Sequence, residues 1–438
     1  MPHRIAAANP AFEAATYRKI TWRLLPILFL CYVASYLDRV NVGFAKLQML
    51  SDLKFSDTVY GLGAGIFFLG YFIFEIPSNM MLHRVGARLW IARIMITWAM
   101  ASAAMVFVTN ATTFYVMRFL LGAAEAGFFP GVILYLTYWF PASRRGKIIA
   151  LFMTGVPISG VIGGPVSGWV VQITSGLHGL AGWQWMFLLE AIPSLLLGVV
   201  VVFYLQDGIR QAHWLSPAEQ DFLENQLAAD GSAKTEATLR QVLGNTRVWL
   251  MALIYFCLVM GLYGVSFWLP TLIGAAGVKD PVSVGLLTAI PYGAAAVAMI
   301  ITGQSADKHR ERRWHIVVPA LLGSLGLMLS TLFAHNVVLA MVALTLATAG
   351  IITALPLFWS LPTAFLGGAA AAAGIALINS LGNLAGFVSP YMVGWLKDQT
   401  HSTNSGMFVL AVSLIVGALL TLRAVEINNY PKYLWLCS

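Results

Sequence analysis

The sequence predicts an all-α membrane protein that crosses the bilayer twelve times. Of its 438 residues, 59% are hydrophobic and only 10% are charged, and the mean hydropathy is +0.78. A water-soluble protein of this composition would expose large apolar patches. The apolar residues form segments of about 20 or more, the length at which an α-helix crosses a hydrocarbon core about 30 Å thick. A β-barrel would need alternating segments of about 10 residues, which the sequence lacks.

Each predicted span is a separate apolar segment. The first is too long for the hydrophobic region of a signal peptide, and no small-residue cleavage site follows it, so we expect it to remain in the protein. The predicted spans are 22–46, 57–82, 89–109, 113–139, 147–172, 184–206, 247–273, 282–306, 314–334, 337–362, 366–396 and 405–424.

The basic residues outside the spans are distributed asymmetrically. If the N-terminus is cytoplasmic, the other side of the membrane holds only Lys46, Lys54, Lys279 and Lys397. This positive-inside pattern, together with the even number of spans, places both termini in the cytoplasm. The net charge of +8 therefore reflects membrane orientation, and no nucleic-acid partner is expected.

One long polar segment, residues 207–246, separates the first six spans from the last six. We therefore divide the chain into 1–206, a cytoplasmic linker at 207–246, and 247–438. Within the linker, Ser216 is a predicted N-cap, a proline follows it, and Glu219 lies at the positive end of the helix dipole. These residues predict a short amphipathic helix that ends near Leu227.

A short motif occurs once in each half. Residues 303–308 after span eight follow the pattern G-x-x-x-D-[RK], and residues 79–84 after span two follow it imperfectly, with Asn79 and His83 at the Gly and Asp positions. Both are predicted to form tight cytoplasmic loops, so the duplication is structural. The residues assigned here to conformational change are Arg84, Gly86, Arg88, Gly303, Asp307 and Lys308.

Cysteine and histidine patterns favour neither a cofactor nor an enzyme. Cys31, Cys257 and Cys437 are scattered without metal-binding spacing and are predicted to be packing residues. The eight histidines are dispersed in tails, loops and span ends, whereas a membrane enzyme would need a clustered catalytic set or metal ligands.

Charged residues inside the spans indicate the function. Each costs about 2.5–3.5 kcal/mol at the centre of a membrane helix, so several together require pairing or a water-filled cavity. They are Asp38, Arg39, Glu75, Arg93, Arg118, Glu125 and Glu190.

Their spacing predicts a cationic site with acidic neighbours. Arg118 and Glu125 are seven residues apart and share a helix face, whereas Asp38 is rotated about 100° from Arg39. Tyr32, Tyr36, Arg39 and Gly43 form one stripe on span one. In one interpretation Arg39, alone or with Arg118, binds a substrate carboxylate through its planar guanidinium, while Asp38 and Glu125 bind protons. In the alternative, the four charges form static ion pairs that fix helix packing.

The remaining intramembrane charges are predicted to have other roles. Glu75, one turn after Tyr71, is expected to form a gate or helix-end contact, and Glu190 and Arg93 to serve packing or snorkelling. The second half can contribute only neutral groups, and its candidates are Trp359, Ser360, Asn379 and Asn383. The aromatic residues Tyr255, Tyr263, Trp268 and Tyr292 are weaker candidates for the pocket, and a position in the core or an interfacial belt is favoured for them.

Several sequence segments together resemble the anion:cation symporter family of the major facilitator superfamily over residues 20–425. The segments are YLDRVNVGFA, GYFIFEIPSNMMLHRVGAR, RFLLGAAEAGFFPGVILYLTYWFPASRRGK, WLSPAEQ and FWSLPTAFLGGAAAAAGIALINSLGNLAGFVSPY. The resemblance implies two six-helix bundles around a central cavity, alternating access, and proton-coupled uptake of a carboxylate.

The resemblance also implies roles for individual residues. It assigns substrate-carboxylate binding to Arg39, proton coupling to Asp38 and Glu125, and a charge-partner role to Arg118. The implied pocket residues are Tyr71, Trp359, Ser360, Asn379 and Asn383. Val156 and Pro157 stand where some sugar-acid carriers have a polar side chain, which favours a smaller dicarboxylate such as tartrate. A related sugar acid and an aromatic acid are the other candidate substrates.

The sequence therefore predicts a monomeric symporter of the bacterial inner membrane that imports a small organic anion together with protons. The alternatives are an exporter of drugs or metabolites from the same superfamily, a membrane enzyme acting on lipid-linked substrates, and a passive channel.

Overall fold

A computed structural model of the protein describes residues 10–231, 243–365 and 368–427, and the described part is helical without strands. The predictions for Cys437 and for linker residues 232–242 lie outside it. The helices are α1 (Pro10–Val40), α2 (Val42–Leu53), α3 (Asp57–Val85), α4 (Ala87–Ala103), α5 (Ala111–Glu125), α6 (Phe128–Thr137), α7 (Ala142–Met153), α8 (Gly155–Thr174), α9 (Gly182–Tyr204), α10 (Pro217–Gly231), α11 (Thr246–Ala275), α12 (Pro281–His309), α13 (Arg313–Leu332), α14 (Val337–Phe358), α15 (Ser360–Phe365), α16 (Gly368–Asn383), α17 (Ala385–Thr400) and α18 (Asn404–Ile427).

The prediction of twelve membrane-spanning helices is confirmed. Eleven described segments, each one helix or two successive helices, are long and apolar enough to cross a membrane. The twelfth span is built from α16 and α17, which join at Leu384. The first span is likewise divided, between α1 and α2 at Asn41, and it begins well before the predicted residue 22. The twelve spans form two bundles of six, here called the first half (α1–α9) and the second half (α11–α18).

Span four is divided at Gly127, which separates α5 from α6. Its φ of +86° lies in the left-handed region, and a Cβ there would lie 2.4 Å from Ser78 Oγ. Glycine is therefore required both by the backbone conformation and by the close approach of α3. The break ends α5 at Glu125, so this carboxylate is presented at a helix terminus.

The two halves meet along α3 with α17 and along α8 with α12. Small residues make this approach possible: a Cβ at Gly61 would lie 2.3 Å from Pro390 O, and one at Gly168 would lie 2.2 Å from Pro281 O. Close packing against α12 therefore accounts for the glycine at position 168 of span five.

Ionic contacts join the halves at the end opposite to the chain termini. Asp57 lies 2.7 Å from Lys46 Nζ and 2.9 Å from Lys397 Nζ, and the backbone N–H of Thr58 donates to Asp398 at 2.8 Å. Lys46 also lies 3.4 Å from the ring centroid of Trp268. We call Lys46, Asp57, Lys397 and Asp398 the terminal ion cluster.

The segment between the two halves contains helix α10, which ends at Gly231, four residues beyond the predicted end near Leu227. The backbone N–H of Ser216 donates to Glu219 Oε2 at 2.7 Å, and the N–H of Glu219 donates to Ser216 Oγ at 3.3 Å. This reciprocal capping box satisfies donors that a helix start leaves unpaired. Lys19 pairs with Glu219 at 2.9 Å, which attaches α10 to α1.

The prediction that the repeated motifs lie in loops is wrong. Residues 79–84 lie in the last turns of α3, and Gly303, Asp307 and Lys308 lie in the last turns of α12. A single glycine, Gly86, separates α3 from α4. The last turns of these helices lie near water, so a helix can continue through polar side chains such as Asn79 and Asp307. The motif alone does not show where the helix ends.

Contacts at these helix ends involve some of the residues assigned to conformational change. The N–H of Arg88 donates to Asp207 Oδ1 at 2.7 Å, and Asp207 crowds Gly86, whose φ is +98°. Asp307 pairs with Arg312 across the α12–α13 turn. Arg84 and Lys308 are exposed.

Candidate functional site

A cavity of about 650 Å³, including its solvent-open part, lies between the two halves. Of the described residues, six aromatic ones and a single charged one line it, so these walls are mostly apolar with a localised positive group. The lining residues are Tyr32, Tyr36, Arg39, Tyr71, Phe129, Met153, Val156, Tyr255, Leu262, Tyr263, Met299, Ile352, Leu355, Pro356, Asn379 and Asn383.

Arg39 forms an ion pair with Glu125 at the wall of this cavity. Arg39 Nη1 also donates to the Tyr263 hydroxyl at 2.9 Å, and the Ser35 hydroxyl donates to Glu125 Oε1 at 2.7 Å. The pair can form further hydrogen bonds, because Arg39 Nε and Glu125 Oε2 are buried and have no hydrogen-bond partner among the residues that the structure describes. The stripe prediction is confirmed for Tyr32, Tyr36 and Arg39, all of which reach the cavity.

Arg118 occupies a different environment from Arg39. It is fully buried outside the cavity lining, where Nε donates to Gly63 O at 3.3 Å and Nη2 donates to Ala64 O at 3.4 Å. Its guanidinium carbon lies 5.1 Å from the Phe67 ring centroid. It shares the buried face of α5 with Glu125, as the seven-residue spacing predicts, but no hydrogen bond or ion pair joins the two side chains among the described contacts.

Asp38 faces the interior of the first half. Its carboxylate accepts hydrogen bonds from Trp98 Nε1 at 2.9 Å, Ser102 Oγ at 3.0 Å and Ser194 Oγ at 2.6 Å. None of the described ion pairs includes Asp38, so the alternative in which the four charges form static ion pairs does not hold for Asp38 in this conformation. The physical reason is the rotation of about 100° per residue, which directs adjacent side chains toward different neighbouring helices.

Glu75 joins the two halves, in agreement with a gating contact. Asn379 Nδ2 donates to its Oε1 at 3.1 Å, and the Ser380 hydroxyl donates to its Oε2 at 3.2 Å. Glu75 is buried and follows Tyr71 by one turn, so this contact adjoins the cavity.

The pocket residues of the second half are partly those predicted. Asn379 and Asn383 line the cavity, but Trp359 and Ser360 are not among its lining residues. The Trp359 ring packs 4.8 Å from that of Tyr255, and the Ser360 hydroxyl donates to Leu357 O at 2.6 Å. Both lie where α14 ends, and the chain turns there into the short helix α15.

Tyr255 and Tyr263 line the cavity, which agrees with the weaker prediction for them and not with the favoured one, a core or belt position. Tyr255 fits because a Cβ at Gly382 would lie 2.1 Å from its ring, so only glycine leaves space there. The glycine beside the paired asparagines is the one sequence signal that could have indicated this ring.

The other two intramembrane charges are held within the first half. Glu190 accepts hydrogen bonds from Ser167 and Asn41. Arg93 is half-buried, and its guanidinium carbon lies 4.0 Å from the Trp90 ring centroid. The packing role predicted for both agrees with these contacts.

The family model described as Major Facilitator Superfamily matches residues 28–390. Three curated relatives are similar over nearly their whole length. A "Putative metabolite transport protein NicT" of Pseudomonas putida is 53% identical, with 93% of this chain and 94% of the relative covered. A "Putative tartrate transporter" of Agrobacterium vitis is 50% identical, with 94% and 95% covered. A "Quinolone resistance transporter" of Acinetobacter baumannii is 39% identical, with 94% and 95% covered.

Among solved structures, the chain is similar to a bacterial homologue of the human lysosomal transporter Spinster in an inward-facing and occupied conformation. The TM-score is 0.74 at 16% sequence identity, and the match covers 92% of this chain and 96% of the other. At this identity the similarity concerns the fold alone.

Proposed function

Because this chain belongs to the major facilitator superfamily and is a multi-pass membrane transporter, we propose that it is a proton-coupled symporter that imports a small organic carboxylate by alternating access. The observation that carries the proposal is the Arg39–Glu125 ion pair at the wall of a cavity between the two halves. The names of two relatives, which refer to tartrate and to metabolite transport, support a small metabolite as substrate.

In this mechanism a proton binds to Glu125, and this allows a substrate carboxylate to bind to Arg39. While Glu125 is ionised it occupies the guanidinium, and a substrate carboxylate beside it would add an uncompensated negative charge in a medium of low dielectric. Protonation of Glu125 removes that charge and frees the planar fork of Arg39 for the substrate. Loss of the proton restores the ion pair and displaces the substrate.

The neutral lining groups would then orient the rest of the substrate. Asn379 and Asn383 supply amides from the second half, and Tyr71 supplies a hydroxyl from the first. A small hydroxy acid such as tartrate would bind one carboxylate at Arg39 and its polar groups at these residues. Arg118, held by backbone carbonyls, would act indirectly by fixing α5 against α3.

Transport would proceed by rocking of residues 1–206 against residues 247–438, with residues 207–246 as the tether. The terminal ion cluster closes one end of the interface, and we assign that end to the periplasm and the chain termini to the cytoplasm of a bacterial inner membrane. If more than one proton accompanies a monoanion, uptake moves positive charge inward and gains about 2.3 kcal/mol per charge per 100 mV.

The test is transport by the purified protein in proteoliposomes. A thermal-shift screen of small carboxylates first selects the probe, since a ligand that binds only the folded state raises its apparent stability. An inwardly directed proton gradient should then drive accumulation of the labelled probe, and a proton-conducting ionophore should abolish it.

An exporter is the second candidate, because one relative is named for quinolone resistance. The direction of transport separates the two. Extrusion of a quinolone driven by an inwardly directed proton gradient, without accumulation of any carboxylate, would favour the exporter.

A further inference from the structure

Two buried carboxylates occupy adjacent turns between the first span and α9. Asp38 accepts from Ser194 at 2.6 Å, and Glu190, one turn earlier on α9, accepts from Asn41 Nδ2 at 3.0 Å. Residues three and four apart lie on one helix face, so the two contacts are successive rungs between the same helices. The proposed coupling between Glu125 and Arg39 assigns no role to Glu190.

Glu190 has only neutral partners among the described residues. It is 4% exposed, its second oxygen accepts from Ser167 Oγ at 2.6 Å, and none of the described ion pairs includes it. An ionised carboxylate buried without a cation loses several kcal/mol of solvation. Binding of a proton removes this cost, so the site favours a group that alternates between the two forms when its surroundings change.

A second cavity contacts both partners of Glu190. It lies between the first span, α8 and the second half, with room for a water molecule, and Asn41 and Ser167 are in its lining. Two buried polar atoms of residues in this lining, Asn41 Oδ1 and Ser159 Oγ, have no hydrogen-bond partner within the described part of the chain, and both residues are 1% exposed. Such atoms require water or another hydrogen-bonding ligand. Tyr36 and Arg39 line the central cavity and are absent from this lining, so the two cavities are distinct.

The charged groups around Glu190 leave Asp38 as its electrostatic neighbour. Four described α-helices pack against α9. Helix α1 carries Asp38, to which Trp98 and Ser102 of α4 donate, and α8 carries Ser167, which donates to Glu190. Helix α2 carries Lys46, which pairs with Asp57, and Asp52, which accepts from Trp183 two turns before Glu190. Two carboxylates that interact electrostatically, neither with an ion-pair partner among the described residues, resist simultaneous ionisation.

We infer that Glu190 is a second proton-binding residue of the transport cycle, loaded from the second cavity and coupled to Asp38. Ser167 lines this cavity and donates to Glu190, so it can relay the proton: a hydronium ion in the cavity gives a proton to the Ser167 hydroxyl oxygen, and the proton that this hydroxyl already donates passes to Glu190 Oε1. The products are a water molecule, an unchanged serine and a neutral acid. The inference rests on the proposed proton symport, and it adds a proton site remote from the substrate cavity.

The test uses Glu190→Gln, because glutamine can still accept from Asn41 and can donate to Ser167, so only the titratable group is lost. The first measurement is an infrared pH titration of the purified protein in lipid nanodiscs, without substrate. The variant should lack one titrating carboxyl band of the wild type, and Ser167→Ala, which keeps the carboxyl but removes a donor, should shift the pH midpoint of that band. An unchanged set of titrating bands in Glu190→Gln would overturn the inference.

The second measurement compares transport of labelled tartrate in proteoliposomes. Glu190→Gln should keep counterflow within about twofold of wild type and lower proton-driven accumulation by about tenfold or more. Equal loss of both, with intact protein, indicates a structural role and contradicts the inference. If the wild type itself shows no proton-driven accumulation of any carboxylate, the proposed symport fails, whereas the infrared titration still decides whether Glu190 binds a proton.

Discussion

Lys397 Nζ lies 2.9 Å from Asp57 Oδ2, an ion pair that joins the second half of the chain to the first at the end opposite to the termini. Asp57 also pairs with buried Lys46, so one carboxylate holds two cations from different halves. Separation of the halves at this end must break the contact with Lys397. The structure therefore represents a state closed at that end.

Asp57→Asn should shift the protein toward the state open at that end by about fivefold, since a partly exposed ion pair such as Asp57–Lys397 contributes about 1 kcal/mol and about 1.4 kcal/mol corresponds to tenfold. Distances between spin labels at exposed Lys54 and Lys279 would report the opening. The matched control for charge removal is Lys54→Gln, studied with a label at a neighbouring exposed position. An unchanged distance distribution in Asp57→Asn would show that the terminal ion cluster does not hold the closed state.

Glu125→Gln should abolish proton-driven accumulation while exchange between loaded vesicles continues. The amide is neutral, as the protonated acid would be, so Arg39 remains available to the substrate at every stage of the cycle. The measurement is accumulation under a proton gradient beside counterflow without one. Loss of both activities with intact protein would contradict the assigned proton role.

Arg39→Ala should weaken carboxylate binding by about 100-fold, because hydrogen bonds to charged groups contribute about 1.5–3 kcal/mol. Arg39→Lys keeps the charge but not the planar fork, and we expect an intermediate affinity. Calorimetric titration with the selected carboxylate provides both values. Wild-type affinity in Arg39→Ala would remove Arg39 from the binding site.

Gly122→Ala should destabilise the first half by about 1–3 kcal/mol, the usual cost of inserting a methyl group into a packed interior. A Cβ at this position would lie 1.9 Å from the carbonyl oxygen of Phe67, which is backbone and cannot move aside easily. Gly146→Ala is the matched control, because nothing lies within 4 Å of a Cβ there. Thermal unfolding in detergent should separate the two variants, and equal unfolding temperatures would contradict the packing described for α3 and α5.

The spans could be predicted because the length of an apolar segment is a local property of the chain. A functional role for Arg39 could be predicted because a charge inside a membrane span is costly and is seldom present without a function. The partners of Asp38 could not be predicted in the same way. Trp98, Ser102 and Ser194 are 60, 64 and 156 residues away, and single donors of these types are common in ordinary cores.

Helix periodicity identifies residues that share a helix face, but it does not identify the atoms of neighbouring helices that contact this face. It places Arg118 and Glu125 together on α5, yet it does not reveal that the carbonyl oxygens of Gly63 and Ala64 lie within reach of Arg118. The separation of Arg39 in the cavity from Arg118 behind it depends on this tertiary contact.

The central claim is that a proton on Glu125 frees Arg39 for a carboxylate, and the most direct test is the pH dependence of binding. Because the proton must be bound before the substrate, affinity of the wild type should fall as pH rises, whereas Glu125→Gln should bind with an affinity nearly independent of pH. Calorimetric titration of the purified protein over a pH series measures both. Equal pH dependence in the two proteins would contradict the claim.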